Sequence, residues 1–291
     1  MKRKLLLFSA LALMSAGLII FVISCKKEVA TEMTISQSST PKLNVGDKAT
    51  ATITIVTEGI ESFRYYKLVD NQRDAGTDVK SQLSRTDKTY TYDFSYEVKE
   101  FDDLHTLGFE FELIDEKKEV KTVGLVVNIN ISLKSMFVKY DWKVTASTWL
   151  GGNVLTDADA AIVYRFHENG TYQEDLSPAF AADNHHFCFW VFKETPNRGD
   201  TIAVVRLLRR LKQGDTAIDE YYDYRITSAS ETEMTMYWDI LVWGITDIEN
   251  KFKSQPKGAF VPYGTAEMEG IVNANASLSC SNISQSLMTI P

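Results

Sequence analysis

Histidine is scarce in this chain: His105, His167, His185 and His186 are the whole supply, and they fall in unrelated contexts. General acid-base and nucleophilic catalysis draw most often on that side chain. The sequence also has no Gly-x-Ser-x-Gly elbow, no phosphate-binding loop and no dinucleotide fingerprint. No catalytic residues and no cofactor are therefore expected, and the reading is non-enzymatic; paired carboxylates cannot be seen in sequence. Basic residues are outnumbered, 31 Lys and Arg against 39 Asp and Glu for a net charge of −8. That balance opposes general nucleic-acid binding, which needs a basic field to displace counterions from phosphates. Proline is rare at six residues, glycine is modest at 15, and no low-complexity tract occurs. That composition argues against long disordered regions beyond an N-terminal tether. Cysteine is limited to three positions, Cys25, Cys188 and Cys280.

One long apolar run is present, and it stands at the start. Lys2, Arg3 and Lys4 precede apolar residues 5–23, diluted by Ser9, Ser15 and Gly17, and the run closes on Val22-Ile23-Ser24-Cys25. An uncleaved membrane-spanning helix and a plain secretory signal are the alternatives, the second of which is poorly served by Val22. The pattern resembles a bacterial lipoprotein signal peptide, covering residues 1–24. The resemblance implies that Cys25 becomes the N-terminus and carries acyl chains such as palmitate, each buried CH₂ contributing ~0.8 kcal/mol to attachment. It implies membrane partnership through that anchor. In the outer-membrane lipoproteins of Gram-negative bacteria an aspartate after the cysteine can signal inner-membrane retention; Lys26 stands there instead, so the outer membrane is expected, on a side left open. Residues 25–42, rich in Ser and Thr, read as a tether. With Cys25 acylated, Cys188 and Cys280 remain, an even count in an oxidising space, so they either pair or stay as buried thiols.

At 291 residues two domains are the natural division. The first spans 43–133. Ala49, Ala51, Ile53 and Ile55 alternate with Thr50, Thr52, Thr54 and Val56, the period of a half-buried strand. Further strand-like runs lie at 62–68, 89–98, 107–114 and 121–131, and Tyr90, Tyr92, Phe94 and Tyr96 share one face of the second. Short strands separated by turns predict a β-sandwich. Phe109, Phe111, Ile114-Asp115 and the Val-rich run at 123–129 resemble the ending of Ig-like or PKD-like modules of bacterial surface proteins, which implies a spacer or adhesive role.

The second domain spans 137–287. Trp142-Lys143-Val144-Thr145 opens a strand, and Tyr164-Arg165-Phe166-His167-Glu168-Asn169-Gly170-Thr171-Tyr172 reads as a hairpin around Asn-Gly. Phe189-Trp190-Val191-Phe192 follows, and Ile226-Thr227-Ser228 precedes the Met-rich run that ends near Trp238. This succession resembles the lipocalin-like domains of Gram-negative lipoproteins, which implies a small antiparallel β-barrel after the sandwich, all-β throughout. Such a barrel is either filled by side chains or holds one small ligand. Trp142, Tyr164, Trp190 and Trp238 are the candidates for lining it, or for simply packing it. Ile245, Ile248 and Phe252 fall at helical spacing, so a short helix is expected within 241–264.

Smaller signals complete the reading. Arg206, Arg209, Arg210 and Lys212 could recognise an anion, but they read better as the solvated face of an edge strand. His185, His186 and Cys188 make a poor metal set, because adjacent strand residues point to opposite faces. Asp157 and Asp159 alone do not make a calcium site. Asp200-Thr201-Ile202 and Asp215-Thr216-Ala217 resemble the Asp-Thr-aliphatic sites of bacterial O-glycosylation, which would place sugar on Thr201 and Thr216. The expectation is a lipid-anchored envelope protein holding a small hydrophobic ligand or a glycan. The competing expectation is a structural or assembly subunit with a solid barrel core and an envelope protein partner.

Overall fold

The computed structural model describes residues 29–37, 42–175, 185–213, 216–240, 244–260 and 279–291. The fold is all-β, a sandwich followed by an antiparallel barrel. Of the described residues, those up to Leu43 form one compact unit with Asp47–Val98 and Thr106–Asn128; Asn44–Gly46, Lys99–His105 and Ile129–Pro291 form the other.

Nine strands build the sandwich: β1 (Glu32–Gln37), β2 (Lys48–Val56), β3 (Ile60–Val69), β4 (Gln72–Arg73), β5 (Thr77–Asp78), β6 (Ser84–Thr86), β7 (Thr89–Glu97), β8 (Leu107–Asp115) and β9 (Val120–Val127). One sheet runs β1-β2-β7-β6 and the other β4-β3-β8-β9, with β5 beside β3. The alternation read from the sequence sets the core: Ala49, Ala51, Ile53 and Ile55 of β2 are buried, as are Tyr90, Tyr92 and Phe94 of β7. Their rings meet those of the facing sheet, with Phe94 at 4.6 Å from Phe109 and Tyr92 at 5.6 Å from Phe63 between centroids. Such edge and tilted contacts suit the ring quadrupoles.

Strand β1 corrects the expected tether of 25–42. Residues 32–37 pair with β2 from Glu32↔Val56 to Gln37↔Ala51. Just before it, Thr31 is buried and its hydroxyl donates to Asp115 Oδ2 at 2.5 Å. Asp115 also accepts from the amides of Lys117 and Glu119, and these bonds hold its carboxyl below the usual range. Met33 and Ile35 alternate with Thr34 and Ser36, the strand period, inside a Ser- and Thr-rich segment whose composition suggests a linker.

The second unit opens with helix α1 (Leu133–Lys139), capped by Ser132, whose hydroxyl oxygen accepts from the Ser135 amide. Its strands are β10 (Asp141–Trp149), β11 (Gly152–Asn153), β12 (Val163–Phe166), β13 (Tyr172–Glu174), β14 (His185–Arg198), β15 (Thr201–Gln213), β16 (Thr216–Ala229), β17 (Glu233–Ile240) and β18 (Ile245–Gln255). A second helix, α2 (Asp157–Ala161), lies between β11 and β12. The strand order is β13-β12-β10-β18-β17-β16-β15-β14, all antiparallel, with β11 beside β10. Thr171 bridges Phe189, and the Trp190 amide donates to Gly170 O at 2.8 Å, bringing the two ends of the sheet together into a barrel. Gly170 has φ +80°, the left-handed turn conformation a glycine adopts without strain, in the expected Asn-Gly hairpin.

Two expectations fail here. Residues 245–255 are strand β18, not a helix: the left-handed Asp247 (φ +57°) breaks the period of two, after which Ile248, Asn250 and Phe252 alternate inward and are buried. Strand β15 is central, between β14 and β16, not an edge. Arg206 and Arg210 are buried on its outer side, beneath the C-terminal segment 279–291. Arg206 donates to Leu287 O and Thr289 O and forms a two-bond fork with Asp223, while Arg210 donates to Ser279 O. Leu208, Cys188 and Ile283 form a small apolar cluster under the same segment. Cys188 and Cys280 are joined in a disulfide, with Cα atoms 5.6 Å apart.

Candidate functional site: the barrel cavity

Helix α1 fills one end of the barrel. Phe137 is fully buried and its ring lies 5.0 Å from Phe166, 5.8 Å from Trp190 and 6.1 Å from Trp142. Each indole N–H finds a carbonyl, Trp142 donating to Met136 O and Trp190 to His167 O. Two of the four candidate lining residues, Trp142 and Trp190, are therefore packing residues of this closed end.

Towards the other end the interior is hollow. A cavity of about 540 Å³ lies among Trp149 at the end of β10, Ile162, and the inward side chains of β12 to β18. The other two candidates, Tyr164 and Trp238, line it. Apolar walls come from Val144, Leu155, Leu207, Ile245, Ile248 and Phe252. Tyr224 and Tyr222 pack on Trp238, with centroids 5.8 Å and 5.4 Å away.

The alternation that builds the wall also carries charge into it. Ala203, Val205 and Leu207 are the inward row of β15, and the next member of that row is Arg209. Its direct cross-strand partner is Glu220. Arg209 Nε donates to Glu220 Oε2 at 2.6 Å, Nη2 donates to the Tyr222 hydroxyl at 2.9 Å, and that hydroxyl donates to Glu220 Oε1 at 2.7 Å. The three side chains close a ring of hydrogen bonds, and Glu220 offsets the charge of the guanidinium.

Glu174 stands apart from that ring. It follows Tyr172 by two on β13, is 8% exposed, and lines the cavity. Among the described residues no hydrogen bond reaches its carboxyl or the hydroxyls of Tyr164, Tyr172 and Tyr224. Burial pushes the Glu174 carboxyl up to about 7, against the opposing pull of Arg209 and with a further push from Asp159. The same burial, with the Glu174 charge beside them, raises the phenols of Tyr164, Tyr172 and Tyr224. Arg209 is lowered by burial, yet Tyr172, Glu174, Tyr222 and Glu220 more than restore it, so it stays charged. Asp159 reaches the cavity from α2, where its carboxylate accepts from the Thr156 hydroxyl and its amide donates to Thr156 Oγ1.

The remaining sequence candidates lie elsewhere. Cys25, with residues 1–24 that were expected to form a signal peptide, is outside the described residues; among the described residues no helix is long and apolar enough to cross a membrane. Thr201 is buried, and its carbonyl accepts from the Thr195 hydroxyl, so it is closed to a glycan in the folded state. Thr216 is exposed at the start of β16. Cys188 is spent in the disulfide and offers no thiolate to a metal; the side chains of His185 and His186 are outside the described residues. Asp157 belongs to the first turn of α2, which Thr156 caps.

Sequence reading passed over Glu174, and it read Arg209, weighed as part of an anion-binding cluster, as solvated rather than as part of the cavity wall. The available signal was phase: each is a charged residue on the inward beat of its strand.

No family model matches the chain, and no curated protein matches it. Among solved structures it is similar to a DUF4466 family protein from Parabacteroides merdae, at TM-score 0.26 and 11% identity over 79% of this chain and 100% of that one. It is also similar to Spo0M, a sporulation control protein from Bacillus subtilis, at TM-score 0.27 and 8% identity over 78% and 91%. Likenesses of this size say nothing of what the chain does.

Proposed function

We propose that this is a lipid-anchored protein of the cell envelope whose barrel binds one small, largely apolar molecule and performs no chemistry on it. The observation that carries the reading is the cavity of about 540 Å³ at the end of the barrel away from α1. Binding pockets for small ligands are of that size, mostly apolar, with a few placed polar groups. A barrel core built only for support would be packed to the density of other protein interiors, and the solid-core assembly role has no use for this void. The anchor is argued from the N-terminal sequence ending at Cys25, and the Cys188–Cys280 disulfide suits an exported, oxidising location. On this reading the sandwich is the spacer that carries the barrel from the membrane.

The test is binding of N-phenyl-1-naphthylamine, a neutral apolar dye, followed by its fluorescence. Leu207 faces the cavity, so Leu207→Trp should narrow the space. The expected result is strong, saturable enhancement with the natural chain and clearly weaker binding by the narrowed variant. No enhancement, or enhancement indifferent to Leu207→Trp, would contradict the reading.

A further inference from the structure

We infer that the barrel cavity takes an amphipathic organic cation, an apolar body ending in an ammonium group, with Glu174 as the counter-ion. This inference rests on the ligand-binding reading above and adds the chemistry of the ligand.

Three observations converge on it. The first is the balance of charge. The cavity and its immediate ring hold one guanidinium, Arg209, against three carboxyls, Glu174, Asp159 and Glu220. Glu220 offsets the charge of Arg209, which spends two of its five N–H donors on Glu220 and Tyr222, so an entering anion would meet a cation already paired and two further carboxyls. An entering cation would meet a carboxyl without a hydrogen-bonded partner among the described residues.

The second is the position of that carboxyl. A buried carboxylate is costly unless it is paired, and Glu174 is more than nine-tenths buried yet lines the void rather than the packed wall. The groups that face it are Arg209 of β15, Asp159 of α2, and the phenols of Tyr164, Tyr172 and Tyr224. Burial pushes it up to about 7, so near neutrality it is about half protonated; a bound ammonium would shift it to its charged form, because an opposite charge nearby favours ionisation.

The third is the character of the walls. Tyr164, Tyr172, Tyr224 and Trp238 line the same cavity as Glu174. Aromatic faces attract cations through the ring quadrupole, most strongly when the cation is desolvated, and cages of such rings recognise quaternary ammonium. Leu207 and Phe252 would lie against the apolar body.

A matched probe series tests this in the full chain: octylammonium, octyltrimethylammonium, octanol and octanoate, titrated by calorimetry at pH 8. The tail is constant and only the charge changes. The expected result is that one or both cations bind at least tenfold more tightly than octanol, with octanoate weakest. Glu174→Gln, which keeps the shape and removes the charge, should cost the cations about tenfold while octanol moves less than twofold. The ranking in the unsubstituted chain stands without the variant. Octanol or octanoate binding as tightly as the cations would overturn the inference and leave the ligand-binding reading standing. If no member of the series binds, both fall.

Discussion

Inside the barrel Arg209 and Glu220 are bonded across neighbouring strands, Nε to Oε2 at 2.6 Å, at a position where the strand's inward row of Ala203, Val205 and Leu207 would otherwise continue as apolar core. A pair of this kind is weak evidence of stability, because desolvation offsets much of its attraction, but removing one partner strands the other. Arg209→Met is expected to destabilise the fold by about 2 kcal/mol, a figure reduced because both side chains retain some exposure. The double variant Arg209→Met/Glu220→Met should recover most of that loss. Urea denaturation of the three proteins decides it; additive losses would show that the pair is not the unit that matters.

Glu174 makes stability depend on pH. Its carboxyl is raised from an ordinary 4.5 to about 7, so the folded chain holds the proton more tightly than the unfolded one. The contribution is fully present below about pH 4.5 and is lost as pH rises through 7. Relative to Glu174→Gln, which does not titrate, the natural chain should lose about 3 kcal/mol between pH 4 and pH 8. Chemical denaturation of both proteins across that range reads the difference directly, and parallel curves would mean that Glu174 is already ionised.

Arg206 makes four hydrogen bonds, two to Asp223 of the neighbouring strand β16 and one each to Leu287 O and Thr289 O of the C-terminal segment. Arg206→Met should cost about 1–2 kcal/mol, since it removes charge-assisted bonds whose acceptors are partly exposed and can turn to water. Arg206→Lys should recover less than half, because an ammonium cannot reproduce the planar fork. Thermal melts with calorimetric enthalpies would compare them.

The disulfide closes a loop between positions 92 residues apart. Chain entropy alone assigns about 4–5 kcal/mol to a loop of that length. Cys188→Ala/Cys280→Ala should therefore lower stability by several kcal/mol, and adding reductant to the natural chain should do the same. A loss below about 1 kcal/mol would show that the remaining contacts of 279–291 suffice.

The strands of both units were legible because alternation is local. Ala49 to Ile55, Tyr90 to Tyr96 and the hairpin around Asn169-Gly170 each carry their pattern within a few residues. Arg206 was misread because what buries it, the segment around Leu287, lies far along the chain and nothing near Arg206 announces it. Strand β18 was misread because a single left-handed residue, Asp247, shifts the phase and leaves Ile245, Ile248 and Phe252 at helical spacing. The aromatics were recognisable as barrel lining, but which of them pack and which face a void depends on α1. Phe137 fills the end where Trp142 and Trp190 lie, and leaves Tyr164 and Trp238 to the cavity. Cavities are differences between volumes supplied by distant strands, which no local pattern records.

The central claim is that the barrel carries a molecule. Native mass spectrometry of the folded chain, purified from its native source, tests it most directly. The account predicts added mass that stays with the folded body, disappears on denaturation, and is diminished in the Leu207→Trp variant. A clean mass for the natural chain, equal to that of its denatured polypeptide, would contradict it.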